Sequence, residues 1–156
     1  MKKIALLSLV LGFAFQAQAR EAEGSIDCVS LKSAMDVKIT VKADNMLLSG
    51  PNEGTIWKVI VTATESDNPV ETGRIDYLSA DKSYKPRKYK NHMRFDLSKL
   101  TDTKSFGRFL PMDTCTLNFL VPEDGLSKKS FTAPMIINCD QNGGTISLKC
   151  DVTKKD

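Results

Sequence analysis

Imidazole chemistry in this chain would have to use His92, its single histidine. A Ser–His–Asp device needs that ring beside a nucleophilic serine. A Cys–His device needs a reduced thiol instead. The sequence holds no G-x-S-x-G elbow, no G-x-x-x-x-G-K-[ST] phosphate loop and no H-E-x-x-H zinc pair. His92 is therefore expected on the wet face of a strand. Four cysteines, Cys28, Cys115, Cys139 and Cys150, are widely spaced and include no C-x-x-C pair, so zinc lacks its usual spacing. Asp140 and Asn142 ahead of Gly143 open like a calcium loop, but the later ligands and the closing Glu are missing. Two carboxylates facing each other across about 5–10 Å can hydrolyse a glycosidic bond. The 19 acids of this chain are scattered, with no spacing that marks such a pair. The expectation is no catalytic residue, no metal and no cofactor, with a small carboxylate-based hydrolase as the rival.

Charge is the feature that rises above the background. Asp81 to Arg94 holds Lys82, Lys85, Arg87, Lys88, Lys90 and Arg94 against one acid, a local net of +5. Tyr84 and Tyr89 lie in the same stretch. If residues 88–97 form a strand, Tyr89, Met93, Phe95 and Leu97 face the core. Lys88, Lys90, His92 and Arg94 then line the other face, about 7 Å apart by strand rise. Such a row, with Lys85 and Arg87 leading into it, suits the phosphates or carboxylates of a polyanion. Lipopolysaccharide, acidic glycan and released nucleic acid all carry them. The plainer alternative is a solvated face, or a basic edge that discourages sheet–sheet association.

A second candidate is Phe106-Gly107-Arg108-Phe109-Leu110-Pro111-Met112. Phe106, Phe109, Leu110 and Met112 are expected to cap one end of the fold. As a mouth loop they would serve a carrier of a small apolar ligand, or meet a partner protein.

The elements that position these residues read as strands. Met35, Val37, Ile39, Val41 and Ala43 alternate with Asp36, Lys38, Thr40 and Lys42, the pattern of a half-buried strand. Thr55–Thr64 is β-branched and apolar on both faces (Trp57, Val59 and Val61 against Ile56 and Ile60), which suits a central strand. Gly50-Pro51-Asn52-Glu53-Gly54 and Ser66-Asp67-Asn68-Pro69 are turn clusters. Arg74–Ser79 reads as a short strand with Ile75 and Tyr77 on one side. Ile26–Leu31, Tyr89–Leu97, Thr114–Val121, Phe131–Cys139 and Thr145–Val152 complete the set, and Asp96–Thr103 allows one helical turn. The fold class is all-β: a single antiparallel β-sandwich or small β-barrel of about eight strands.

Register follows from side-chain parity. Setting Cys115 opposite Cys139 also sets Leu117 opposite Ile137, Phe119 opposite Met135 and Val121 opposite Ala133, every pair apolar or Cys–Cys. Antiparallel neighbours lie about 4.5–5.5 Å apart, within disulfide reach. Asn142-Gly143 reads as a two-residue turn. It sets Cys139 opposite Ile146, Ile137 opposite Leu148 and Met135 opposite Cys150. Cys139 and Cys150 are then out of step, which leaves Cys115–Cys139 and Cys28–Cys150 as the expected bridges.

Residues 1–19 are expected to be removed. Lys2 and Lys3 precede a 12-residue, mainly apolar run from Ile4 to Phe15, and Ala17-Gln18-Ala19 supplies small residues before a cut. This is the pattern of a secretory signal peptide, and the run is too short to span a bilayer. Cleavage after Ala19 leaves one all-β domain, residues 20–156, with no transmembrane span. Loss of Lys2 and Lys3 lowers the formal charge from +3 to +1. Export and an even cysteine count agree with each other. The expected protein is a periplasmic or secreted non-catalytic β-domain that binds a protein partner or an envelope component, a polyanion being the candidate.

Overall fold

Residues 21–31, 37–65, 67–100, 115–140 and 143–155 are described by a computed structural model. Period-two alternation becomes eight strands among them. These are β1 (Glu23–Ser30), β2 (Val37–Leu47), β3 (Thr55–Glu65), β4 (Asn68–Ser79), β5 (His92–Asp96), β6 (Cys115–Pro122), β7 (Ser130–Cys139) and β8 (Gly143–Lys154). All pairs are antiparallel, in the order β4-β3-β2-β1-β8-β7-β6-β5. The chain thus forms two meanders, β1–β4 and β5–β8, joined through β1 and β8. The sheet curls into a nearly closed barrel. Its seam lies between β4 and β5, where one bridge, Asp81 to Arg94, links the two edges.

Inward-facing residues fill the barrel. Ile26, Cys28, Val41, Ala43, Val59, Val61, Met93, Phe95, Leu117, Phe119, Ala133, Met135, Leu148 and Cys150 are buried in one cluster. Phe95 and Phe119 sit with ring centroids 6.1 Å apart. An eight-stranded barrel is just wide enough for side chains to fill, and these do so. The outer wall of β2–β4 carries Lys38, Lys42, Thr72 and Arg74. That is the reverse of a membrane-spanning barrel, which is apolar outside and polar within. Leu97–Lys99 forms a 3-10 turn, with the Asp96 carboxylate accepting a hydrogen bond from the Ser98 amide at 3.0 Å.

Both expected disulfides form, Cys28–Cys150 and Cys115–Cys139, and no described cysteine is free. The β6–β7 ladder keeps the expected register, with Leu117 opposite Ile137 and Phe119 opposite Met135. The β7–β8 hairpin does not. Met135 lies opposite Ile146, Ala133 opposite Leu148 and Phe131 opposite Cys150, and Gly143 belongs to the strand rather than the turn. The shift is four residues, so every side chain keeps its face and alternation alone cannot detect it. The expected register would set Ala133 against Val152 and Phe131 against Lys154. The observed one replaces that charged neighbour with Cys150.

Three further expectations change. β3 is not central; it lies next to the end of the sheet order. Trp57 is 46% exposed and Tyr77 62% exposed, although Ile56, Val59, Ile75 and Leu78 around them are buried. Tyr77 and Asn45 have left-handed backbones, φ 66° and 53°. Finally, residues 88–91 are not strand. Arg87–Tyr89 is a 3-10 turn after Pro86, and β5 starts at His92.

Candidate functional site

The β4–β5 connection is anchored at both feet. Asp81 and Arg94 exchange two backbone hydrogen bonds, at 2.8 and 3.1 Å, with N–H donating in each direction. Their side chains repeat the link, the Arg94 guanidinium donating to Asp81 Oδ2 at 2.6 Å. Asp81 Oδ1 accepts from the Ser83 amide at 2.9 Å and from its hydroxyl at 2.6 Å, an Asx turn. The two bonds from Ser83, with the Arg94 charge, hold the Asp81 carboxyl below its ordinary pKa. The Tyr84 ring lies 4.5 Å from the Arg94 guanidinium. Tyr89 meets His92 edge-on at 5.3 Å. The loop therefore folds back over the outward side chains of β5.

This geometry corrects the expected row. Lys88 and Lys90 lie on the loop and Arg94 on the strand, half-buried and paired with Asp81. His92 is half-buried rather than on a wet face, because Tyr89 covers it. Desolvation lowers its pKa; Glu123 and Asp124 pull the other way and Lys85 adds to the lowering. Its Nδ1 is buried, with no hydrogen-bond partner among the described residues.

The six cations of the segment fall into two sets. Lys82 pairs with Glu53 at 3.4 Å, Lys85 with Glu123, and Arg94 with Asp81. The Glu123 amide also donates to the Asn91 carbonyl at 2.9 Å, fixing the loop to the β6–β7 connection. Arg87, Lys88 and Lys90 are exposed and make no ion pair among the described residues. Lys88 lies over its neighbour Tyr89, 5.3 Å from the ring centroid. The paired cations hold the loop while the three others face water, so the loop presents a fixed patch of positive charge.

Carboxylates in described ion pairs each meet a cation: Asp76 meets Arg74, Asp81 meets Arg94, and Asp124 meets Lys128. Among the described residues no group of three or more His, Cys, Asp or Glu is placed to hold a metal ion. Phe106, Phe109, Leu110 and Met112 lie outside the described residues. Sequence reasoning missed the anchors Glu53, Asp81 and Glu123. Asp81 carried a local signal, a serine two residues on, whereas Glu53 and Glu123 are distant in sequence and carried none. No protein-family model, curated protein or solved structure matches the chain.

Proposed function

We propose that the protein is an exported, non-catalytic β-barrel domain that binds a polyanionic envelope component or partner through Arg87, Lys88 and Lys90. The observation that carries this reading is the division of the basic segment. Three cations are neutralised by Glu53, Glu123 and Asp81, and three are held exposed beside Tyr89. An anchoring role for the positive charge uses the first set and gains nothing from the second. Two disulfides suit an oxidising, extracellular compartment. Cleavage after Ala19 and a periplasmic or secreted destination complete the proposal. The hydrolase rival has less support. A general acid needs a raised carboxyl pKa, and the shifts seen at Asp81 and Asp124 are both downward. The apolar-ligand carrier has less support too, because Phe95, Phe119, Met93 and Met135 fill the interior.

The test is a triple variant, Arg87→Ser/Lys88→Ser/Lys90→Ser, in the oxidised mature chain. Heparin retention and lipopolysaccharide binding are measured across a salt series. Exposed charges contribute little to stability, so cooperative melting should persist. The slope of log affinity against log salt should fall by about 2–3, near one per lost contact. Lys82→Ser/Lys85→Ser, which removes cations already paired, should change retention less. Equal retention of wild type and the triple variant would overturn the reading.

A further inference from the structure

The same end of the barrel carries a second cluster of cations that the β4–β5 loop does not include. Ser127, Lys128, Lys129, Val152, Thr153 and Lys154 line a groove of about 490 Å³. We propose that this groove is a second anion-binding subsite. The ligand would then be a chain of repeated sulfate, phosphate or carboxylate groups lying across both clusters. This rests on the polyanion reading of Arg87, Lys88 and Lys90 and extends it to a ligand of minimum length.

The groove is built on fixed backbone. The Val152 amide donates to the Lys129 carbonyl at 2.8 Å, the Lys128 amide to the Gly125 carbonyl at 3.1 Å, and the Lys155 amide to the Glu23 carbonyl at 2.9 Å. Val152 is half-buried and forms an apolar floor, while the lysines are exposed around it. Lys128 is matched by Asp124 at 2.6 Å. Lys129 and Lys154 make no ion pair among the described residues and remain to meet an anion. The Thr153 hydroxyl can donate beside them. The Ser127 hydroxyl already donates to the Asp124 carbonyl at 2.8 Å. Asp151 sits opposite Ser130 in the ladder and does not line the groove.

Continuity between the clusters follows from topology. The β4–β5 loop is tied to Glu123 by Lys85 and Asn91. Residue 123 begins the β6–β7 connection that leads to Lys128 and Lys129. From β5 to β8 is three strand spacings, about 14 Å. One small anion cannot touch both clusters. Screening over about 10 Å at 0.1 M salt also leaves the two nearly independent for such an anion. A chain that occupies both converts the second contact into an intramolecular one, worth about a hundredfold or more in affinity.

The experiment compares full-length heparin with a heparin disaccharide, by calorimetry on the oxidised mature chain. It uses wild type, Lys129→Ser/Lys154→Ser and the Arg87/Lys88/Lys90 triple variant. Unchanged melting and intact disulfides exclude misfolding. Expected is a loss of about a hundredfold for full-length heparin in the groove variant. Disaccharide binding should change little, because the loop still holds it. Full-length heparin bound as tightly by the groove variant as by wild type would overturn the second subsite. Equal loss for both probes would overturn the bridging chain. Failure of the loop reading looks different: the triple variant would then match wild type whatever the groove variant does.

Discussion

Burial beneath Tyr89 strips hydration from the His92 imidazole, and that cost falls on the charged form alone. The folded-state pKa therefore lies below the ordinary value of 6.5. The unfolded chain then binds more protons than the native one in the interval between the two values. Stability must rise with pH there, and must fall as the pH drops from 6.5 through the folded pKa. Asp81, lowered from 3.8, contributes stability that is present above 3.8 and is lost only in more acid solution. His92 is the only histidine, so one proton NMR resonance reports it without assignment. Its midpoint should lie below that of a model peptide, and His92→Gln should flatten the stability profile between about pH 6.5 and the midpoint. A midpoint above the peptide value would mean that Glu123 and Asp124 outweigh burial.

Three neighbouring strands change phase at one level. Ala43, Val59 and Ile75 are buried in register, and so are Met46, Ile56 and Leu78. Two residues rather than one separate these layers on every strand. Asn45, Trp57 and Tyr77 are exposed at the change, and Tyr77 holds φ 66°. A left-handed backbone costs a non-glycine residue about 1–2 kcal/mol, while glycine adds about 0.5–1 kcal/mol of folding entropy. Tyr77→Gly should therefore stabilise the protein by roughly 0.5–1 kcal/mol in urea titration. Asn45→Gly should change less, because asparagine tolerates this conformation. A loss above about 1 kcal/mol for Tyr77→Gly would show that the tyrosine ring packs usefully, despite its exposure. Strand existence was legible where one face is wet and the other buried, as period two announces from Val37 to Ala43; β6 is buried on both faces, with Asn118 and Leu120 enclosed as well as Leu117 and Phe119. The phase change was not legible, since no glycine marks residues 45 or 77. The β7–β8 register escaped because an even slip preserves every face. The basic segment was legible as charge and illegible as geometry: Glu53 and Glu123, far along the chain, decide which lysines are left facing water.

Closure of the barrel rests on two junctions between the meanders. One is the β1–β8 ladder with Cys28–Cys150; the other is the Asp81–Arg94 bridge. The outer edge of β4 is poorly suited to pairing with another chain. Pro69 has no amide hydrogen, Tyr77 is left-handed, and Arg74 and Asp76 pair across the surface. The wider junction is the one that a disulfide secures. Cys28 and Cys150 are 122 residues apart, against 24 for Cys115 and Cys139. Chain-entropy arguments scale the constraint with the logarithm of that separation, which favours the longer loop by about 1–1.5 kcal/mol. Burial acts in the same direction, since Cys28 and Cys150 are buried and Cys139 is only half-buried. Cys28→Ala/Cys150→Ala should thus lower the unfolding free energy more than Cys115→Ala/Cys139→Ala, as read by urea titration of the two double variants. It should also lower amide exchange protection in β1 and β8, where the meanders meet, while the β6–β7 variant loosens only its own hairpin. Equal losses would mean that the unfolded chain keeps β1 and β8 together without the bond, and that the first and last strands are held by their ladder alone.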